Sequence, residues 1–494
     1  MKINNLLSKE LIFTKYFSFK VKHLFLIIIL LFALFLRLGF LDVAPFWVDE
    51  SISSLASVNI LEKGVPIFDS GAYYSRALVF HYSQALSMIV FGVTDFGARF
   101  PSVIFGLLTV LLAYLIGREY NTKAGLFAAL ICAVFFLEVF FSKQARFYQL
   151  FQLAFFAALF FLYKSRKNNK FLLPAVISFL IAVDTQPAGL FLVPFFIGHI
   201  ILFNMKKWFY ALIPTASIVF EGLGSLSLVS SSNMTSIAET SSQKTVWLYL
   251  QEYANYTTNM KILLILFIPG IIWGYFKKKD LTFLIVIPAI LLLISIMFLE
   301  LFALRYVYFF AFILVVFTGV FFGLLCEKFQ GNCAPIVFAF FLLILIPSNI
   351  FSPLSYTTML VPTSANLADA SAPEIDTKNI PIDLVNLMKE SVIVTHYSPS
   401  VEWYIKKPAY VLAFSMSGKG DNTISRTNDL NILVDVYSGS PIIFDTNLLP
   451  KNYFYVEQDF AYSKLKTDQR ELASKIKNNC VKSFENKDLR VYSC

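Results

Sequence analysis

Charged residues are scarce in this chain of 494 residues: Asp, Glu, Lys and Arg make up only 15% of it, whereas hydrophobic residues make up 57%. A soluble domain with one buried core cannot have this composition, because its surface would lack polar side chains. The apolar residues instead form long runs, which is typical of a polytopic membrane protein. The composition therefore excludes a soluble globular fold.

Histidine and cysteine are also rare, with four and five residues respectively. His81 and His396 have no second ligand at a metal-like spacing, so structural roles are favoured for both. No cofactor is predicted with certainty, and a divalent metal stays open although no ligand set is visible. Cys480 and Cys494 both fall in the C-terminal region and are candidates for a disulfide; the alternative is two free thiols.

The net charge of +9 could indicate nucleic-acid binding. Lys and Arg fall mostly in short clusters between apolar runs, however, which is how cytoplasmic loops are marked. The expected partner is therefore the lipid bilayer, with no nucleic acid. No small-residue cleavage site follows the first apolar run, so this run is expected to remain as a signal anchor with the N-terminus inside.

The apolar runs predict about eleven transmembrane helices, and alternate loops carry the positive charge that this topology requires. The pair at 171–183 and 188–204 could instead be tilted or partly re-entrant, because the polar segment Asp184–Pro187 leaves the first of them short. The predicted spans are 23–41, 100–117, 124–141, 147–163, 171–183, 188–204, 208–229, 259–276, 281–299, 307–325 and 335–351.

Three segments are then expected outside: Asp42–Ala98, Ser230–Thr258 and everything after Phe351. The last holds strand-like and helix-like pieces in alternation, and we interpret it as a small extracytoplasmic α/β domain. The predicted domains are a transmembrane domain, 1–351, and a C-terminal domain, 352–494. The pieces are SVIVTHY, a short helix near 400–405, NILVDVY, NYFYVEQ, a helix over 467–478, and LRVYSC.

Two adjacent carboxylates, Asp49 and Glu50, follow the first predicted span in the segment FWVDESISSLAS. The pattern predicts a helix from about Asp49 to Glu62, with Gly64 and Pro66 as stop signals. Asp49 could therefore be an N-terminal capping residue. It could also belong to a functional site on the outer face, and the two interpretations are compatible.

Ionisable residues at membrane depth are costly and usually line a cavity or bind something. By the predicted topology they gather near the outer ends of their spans, on the side of Asp49 and Glu50. For Arg37 and Arg99 the alternative is snorkelling to lipid phosphates, and Glu138 is either a second active-site carboxylate or the ion-pair partner of Arg146. These residues are Arg37, Arg99, Glu138, Arg146, Asp184 and Arg305.

Several motifs resemble one family over residues 23–325. They are VDES, GARFPSVIFGLLTVLLAYLIGREY, KAGLFAALICAVFFLEVFFSKQARFYQLF and ALRYVYFF. In this order they resemble bacterial and archaeal relatives of the protein O-mannosyltransferases and of the aminoarabinose transferase that acts on lipid A, which are membrane glycosyltransferases of the GT-C fold. The chain departs from many relatives at Ala77–Tyr82 and Leu137–Glu138, where they have proline.

The resemblance implies an inverting transferase that takes a sugar from a polyprenyl-phosphate carrier to a hydroxyl acceptor at the outer face of the cytoplasmic membrane. Asp49 matches the catalytic base of the family, and Glu50 would bind the acceptor or orient the base. The leaving lipid phosphate needs cations, for which Arg residues with bidentate geometry are suited. The implied donor-phosphate residues are Arg146, Arg305, Arg99, Tyr148 and Tyr306.

The alternative function is a transporter or flippase for a lipid-linked glycan, which would also need many spans and outer arginines. A transporter would show inverted repeats, and the sequence has no convincing internal repeat. A non-catalytic receptor would leave the intramembrane charges unexplained. The sequence therefore favours the enzyme, without identifying its sugar or acceptor.

Overall fold

The computed structural model describes 10–14, 17–203, 205–219, 261–297, 304–329, 334–340, 375–416, 420–421, 423–426, 432–465, 467–478 and 480–494. Several predictions lie outside these residues, in whole or in part. They are the outer loop 230–258, the spans 208–229 and 335–351 beyond their first residues, and the start of the C-terminal region, 352–374.

Helices dominate the first two thirds of the chain. In chain order the α-helices are α1 (Val21–Leu38), α2 (Val48–Lys63), α3 (Leu78–Phe91), α4 (Asp95–Tyr120), α5 (Thr122–Val134), α6 (Phe136–Phe141), α7 (Tyr148–Ser165), α8 (Leu172–Thr185), α9 (Val193–Phe203), α10 (Lys261–Lys277), α11 (Lys279–Met297), α12 (Leu304–Val307), α13 (Ala311–Lys328), α14 (Ala334–Phe340), α15 (Ile382–Glu390), α16 (Ser398–Tyr404), α17 (Asp459–Tyr462) and α18 (Thr467–Lys477). Short 3₁₀ helices cover Asn169–Phe171, Pro187–Leu192, Met205–Ala211, Tyr308–Phe310 and Thr446–Leu448.

Contacts divide the chain into two compact units. The first comprises Met1–Leu41 and Arg99–Pro362, and the second comprises Asp42–Ala98 and Thr363–Cys494. The first long loop thus packs with the C-terminal region. The prediction of domains at 1–351 and 352–494 stays a prediction.

Three helices of the described chain are long and apolar enough to cross a membrane: Asp95–Tyr120, Lys279–Ile296 and Arg305–Lys328. Shorter apolar helices include Thr122–Val134 and Leu263–Lys277. The mostly helical fold is confirmed, whereas the number of eleven spans stays a prediction.

Glycine permits two helices of the first unit to touch closely. A Cβ atom added at Gly319 of α13 would collide with the backbone of Ala128, and one added at Gly323 would collide with Ala124. The spacing of four residues places both glycines on one face of α13 against α5. Small residues at such positions let membrane helices approach at their backbones.

The third predicted span is broken at Phe135, which has an extended backbone between α5 and α6. Arg37 of α1 compensates for this break, because its guanidinium donates to the carbonyl oxygens of Cys132 at 3.1 Å and Ala133 at 2.9 Å. Carbonyls in the last turn of a helix have no intrahelical donor. Arg37 is fully buried, which argues against the alternative that it snorkels to lipid phosphates.

The second unit contains a five-stranded mixed sheet. Its strand order is β10 (Val481–Glu485), β11 (Leu489–Ser493), β9 (Tyr453–Gln458), β3 (Val392–Thr395), β4 (Tyr410–Val411). Strand β3 pairs in parallel with both β9 and β4, while β9, β11 and β10 pair antiparallel. The strands of the chain are β1 (Glu10–Thr14), β2 (Phe17–Lys20), β3 (Val392–Thr395), β4 (Tyr410–Val411), β5 (Ser415–Met416), β6 (Gly420–Asp421), β7 (Thr423–Arg426), β8 (Ile432–Asp435), β9 (Tyr453–Gln458), β10 (Val481–Glu485) and β11 (Leu489–Ser493). The small C-terminal sheet is therefore confirmed.

One hydrophobic core joins α2 to the C-terminal region within this unit. Val48, Ile52 and Leu55 of α2 are buried in the same cluster as Ile393 of β3 and Val456 of β9. The helix that follows the first predicted span thus rests on the C-terminal sheet. At the sheet edge, Cys480 and Cys494 form a disulfide.

A partly buried carboxylate gives the second unit a pH-dependent stability. Burial, together with the nearby charge of Asp69, raises the pKa of Glu402 to about 7. The folded state therefore holds a proton that the unfolded state releases near pH 4.5, and the stability falls as the pH rises between these two values. We expect Glu402→Gln to stabilise the unit by about 1–2 kcal/mol at pH 8 and to leave it unchanged at pH 4.

The measurement is the thermal unfolding of the purified full-length protein at both pH values. Glu390→Gln is the matched control, because it removes an exposed carboxylate of the same unit. Equal melting temperatures for Glu402→Gln and the wild type at pH 8 would contradict the assigned pKa.

Candidate active site

The acidic pair of the second unit lies in the first turn of α2, as the helix pattern predicts. Trp47 is the N-cap, Asp49 is the second helical residue, and Gly64 ends the helix with φ 78°. The backbone N–H of Trp47 donates to Glu50 Oε2 at 3.0 Å. Asp49 is thus not the capping residue, since the carboxylate that binds the N-cap backbone is that of Glu50.

The two carboxylates consequently differ in environment. Glu50 is 1% exposed, and one of its carboxylate oxygens accepts the hydrogen bond from the Trp47 N–H. Asp49 is more accessible to solvent. Both lie in the first turn of α2, at the positive end of the helix dipole.

Tyrosines of the C-terminal region hold the backbone around this pair. The Tyr397 hydroxyl donates to the carbonyl oxygen of Val48 at 2.6 Å, and the Tyr404 hydroxyl accepts from the N–H of Phe46 at 3.0 Å. Tyr397 is 2% exposed. The residues immediately before Asp49 are therefore fixed by side chains more than 300 positions away in sequence.

In the first unit, Arg99 and Lys143 bind the turn that follows α1. Arg99 Nη1 donates to the carbonyl oxygen of Leu41 at 2.9 Å, and Lys143 Nζ donates to that of Gly39 at 2.5 Å. Arg99 is only 4% exposed. This burial also argues against the alternative that Arg99 snorkels to lipid phosphates, and its role at the donor phosphate stays a prediction.

Arg146 lies in the turn between α6 and α7, close to the helix that carries Arg99. Its carbonyl oxygen accepts from the Ser102 hydroxyl at 3.3 Å. The guanidinium lies over the Phe147 ring at 4.5 Å and the Tyr148 ring at 5.5 Å. Arg146 and Tyr148 are thus in contact, and their role in binding the donor stays a prediction.

The segment of Arg305 is tied to the same region through Tyr308. The Tyr308 hydroxyl lies 2.6 Å from Gln149 Oε1 of α7, one residue after Tyr148. Arg305 itself lies over the Tyr306 ring at 5.1 Å. The two Arg-aromatic motifs are therefore linked by a buried hydrogen bond within the first unit.

Glu138 belongs to this buried network. Its two carboxylate oxygens accept from the Tyr308 hydroxyl at 2.7 Å and from Gln152 Nε2 at 2.8 Å. Glu138 is fully buried, and within the described chain none of its hydrogen bonds or ion pairs goes to Arg146. The ion pair with Arg146, one of the two predicted alternatives, is not formed, because α6 directs Glu138 towards α7 and Tyr308.

Lys143 is a basic residue that the sequence did not single out. It is 3% exposed in the turn between α6 and α7, outside the predicted spans. Burial and the neighbouring charge of Arg99 lower the pKa of Lys143 to about 7. Its position three residues before Arg146, in SKQAR, was the available sequence cue.

His81 and His396, the two histidines considered in the sequence analysis, have aromatic neighbours. His81 packs edge-on against Tyr74, and His396 Nε2 lies 2.5 Å from the Tyr455 hydroxyl. Within the ranges that the structure covers, no group of three or more His, Cys, Asp or Glu residues is arranged to hold a metal ion.

Comparison with solved protein structures identifies the fold of the chain. The structure superposes on that of ArnT from Cupriavidus metallidurans in the apo state with a TM-score of 0.63 and 12% identity, over 95% of this chain and 97% of that one. This is the GT-C fold. The same protein solved with undecaprenyl phosphate gives a TM-score of 0.60 with the same coverage and identity.

Two further comparisons concern parts of GT-C proteins. A family model described as dolichyl-phosphate-mannose-protein mannosyltransferase matches residues 75–231. The oligosaccharyltransferase of Archaeoglobus fulgidus, solved with Zn and sulfate, gives a TM-score of 0.52 and 14% identity; the match covers 78% of this chain but only 62% of that protein. The sequence has no significant match among curated proteins.

Proposed function

We propose that the protein is an inverting glycosyltransferase that moves a sugar from a polyprenyl-phosphate carrier to a hydroxyl group at the outer face of the cytoplasmic membrane. The observation that carries the proposal is the acidic pair in the first turn of α2, in a chain that has the GT-C fold over 95% of its length. The acceptor is a glycan, a lipid or a protein. ArnT bound to undecaprenyl phosphate supports the class of donor.

Asp49 is the proposed general base. The acceptor oxygen attacks the anomeric carbon as its proton passes to the Asp49 carboxylate, and the bond between that carbon and the phosphate oxygen breaks. The phosphate leaves with the bonding electron pair, and the anomeric configuration inverts. Glu50 orients this site, since its bond to the Trp47 N–H fixes the first turn of α2.

Arg146 and Arg305 are the proposed ligands of the donor phosphate, with Arg99 as a third. Preorganised cations stabilise the negative charge that develops on the leaving phosphate. The rings of Tyr148 and Tyr306 lie against the two guanidinium groups and hold them in place. Glu138 is assigned to support this arrangement through Tyr308 rather than to take part in proton transfer.

The proposed orientation is supported by the chemistry of the proposed reaction. Nucleotide sugars are confined to the cytoplasm, so a transferase that acts outside needs a lipid-linked donor. The Cys480–Cys494 disulfide is consistent with an oxidising compartment for the second unit. We therefore assign the N-terminus to the inside and the C-terminal region to the outside.

The test is a transfer assay with the purified full-length protein in nanodiscs. Supplied with polyprenyl-phosphate sugars and candidate hydroxyl acceptors, the protein should release polyprenyl phosphate only when the acceptor is present. Mass spectrometry of surface glycans with and without the gene should show a missing sugar mass. A lipid-linked glycan that crosses the bilayer without any transfer would instead indicate a flippase.

Tyr397 is expected to act as a positioning residue for Asp49. Tyr397→Phe keeps the ring but removes the hydroxyl that binds the Val48 carbonyl, one residue before Asp49. We expect kcat to fall about ten-fold while KM for the donor stays the same, because proton transfer depends on the placement of the base. Stability should fall by only about 1 kcal/mol.

The matched control is Tyr492→Phe, since the ring of this residue stacks on Tyr455 in the same unit. A merely structural role of Tyr397 would lower the melting temperature and leave kcat unchanged. That result would contradict the positioning role.

A further inference from the structure

A basic cavity of about 470 Å³ lies in the first unit, where the ends of α7, α9, α10 and α11 meet. Cationic side chains supply more than half of its lining. The lining residues are Tyr163, Arg166, Lys167, Phe203, Lys277, Lys278, Lys279, Asp280 and Leu281.

Part of this positive charge is neutralised within the protein. Arg166 Nη1 pairs with Asp280 Oδ2 at 2.6 Å, and Lys277 Nζ pairs with Glu327 Oε1 at 2.6 Å. Lys167, Lys278 and Lys279 form no ion pair with a carboxylate among the residues that the structure describes. The cavity therefore keeps an excess of three positive charges.

The cavity combines a fixed cationic group with exposed apolar side chains nearby, which suits a ligand that has both a charged and an apolar part. The Arg166 guanidinium is held over the Phe203 ring at 4.2 Å and by Asp280, so its direction is fixed. Nearby side chains of α9 and α10 are strongly exposed, including Leu202 at 73% and Phe276 at 82%. Such surfaces are stable against acyl chains rather than water.

We propose that this cavity binds the phosphate headgroup of an anionic phospholipid. Basic pockets between membrane helices on the cytoplasmic side suit such headgroups. The headgroup phosphate would contact Lys167 and Lys278, and the acyl chains would lie along α9 and α10. The predicted topology assigns these loops to the inside, where the positive charge of membrane proteins concentrates.

This site is separate from the proposed donor site. Arg146 precedes the first residue of α7, whereas Arg166 follows its last residue. A helix of 18 residues spans about 27 Å, so the two cation clusters are at opposite ends of α7. The lipid site does not rest on the proposed function.

The experiment is a native mass spectrometry titration of the full-length protein in detergent. The probes are phosphatidylglycerol, phosphatidylcholine and inorganic phosphate. We expect phosphatidylglycerol to bind at least ten-fold more tightly than phosphatidylcholine. Lys167→Gln combined with Lys278→Gln should weaken phosphatidylglycerol binding about 30-fold, because the loss of each lysine alone should weaken it about five-fold and the two factors multiply.

The control combines Lys170→Gln with Lys206→Gln. It makes the same change of charge at exposed lysines of the inside loops that do not line the cavity, and it should stay within two-fold of the wild type. Equal losses in both double variants would overturn the proposal in favour of general surface charge. Binding of inorganic phosphate without a lipid adduct would overturn the lipid assignment and identify a soluble phosphate as the ligand.

Discussion

Replacing Asp49 with Asn is expected to reduce sugar transfer by about 10³-fold while the protein remains folded. A general base contributes about 10²–10⁴-fold to a rate, and the amide has nearly the same shape but cannot take up the acceptor proton. The structural cost is small, because Asp49 is the second residue of α2 and not its cap. Loss of one charge at a helix N-terminus costs about 0.3–1 kcal/mol.

The measurement is the release of polyprenyl phosphate by purified variants, with melting temperatures measured in parallel. Asp42→Asn is the matched control, because it removes an exposed carboxylate from the same loop and should leave turnover unchanged. The variant Glu50→Gln distinguishes the role of Glu50 from that of Asp49. Its amide oxygen can still accept from the Trp47 N–H, so a loss of about ten-fold without unfolding is expected. Turnover of Asp49→Asn within three-fold of the wild type would exclude Asp49 as the base.

Replacing Arg146 with Gln is expected to lower kcat/KM by about 10²–10³-fold, the effect typical of removing one group that stabilises developing charge. Arg146→Lys keeps the charge but loses the planar guanidinium that stacks on Phe147. A loss of about ten-fold is expected for it, since a lysine cannot bind phosphate in a bidentate manner. The order of activity should therefore be Arg, then Lys, then Gln.

Arg118→Gln is the control for this series, because it removes an exposed arginine at the far end of α4. The binding of a donor analogue, measured by titration, distinguishes two origins of a loss. Weaker binding in proportion to the lower rate would identify ground-state binding of the phosphate. An unchanged rate in Arg146→Gln would rule out the proposed phosphate role.

The parts of the fold that sequence predicts well are those with local patterns. Helix α2 ends at Lys63, before Gly64, as the stop signals predict. The C-terminal strands follow short runs of aromatic and β-branched residues such as those of Tyr453–Gln458. In each case the information lies within a few residues of the element.

The break at Phe135 had no local cue. The run from Phe135 to Phe141 contains neither Gly nor Pro, the residues that usually mark a helix end. Its compensation comes from Arg37, far away in the chain. Periodicity within one window cannot reveal such a pair.

Sequence motifs supplied the residues of the candidate site, whose roles stay predictions, but not the contacts that hold those residues in place. Asp49, Arg146 and Arg305 follow recognisable motifs. Lys143 resembled an ordinary loop charge, and Tyr397 was part of a strand-like piece with no feature that pointed to α2. Both act through contacts that only the folded chain creates.

The contact of Arg37 has a consequence for how the protein is made. Arg37 leaves the ribosome 95 residues before Cys132, whose carbonyl oxygen is the first on α5 to which it donates. At about 5–20 residues per second, that delay lasts about 5–20 s. An arginine at membrane depth costs about 2.5–3.5 kcal/mol until it is compensated. Until α5 has been synthesised, α1 therefore carries an arginine without the two carbonyl oxygens of α5 that accept its hydrogen bonds.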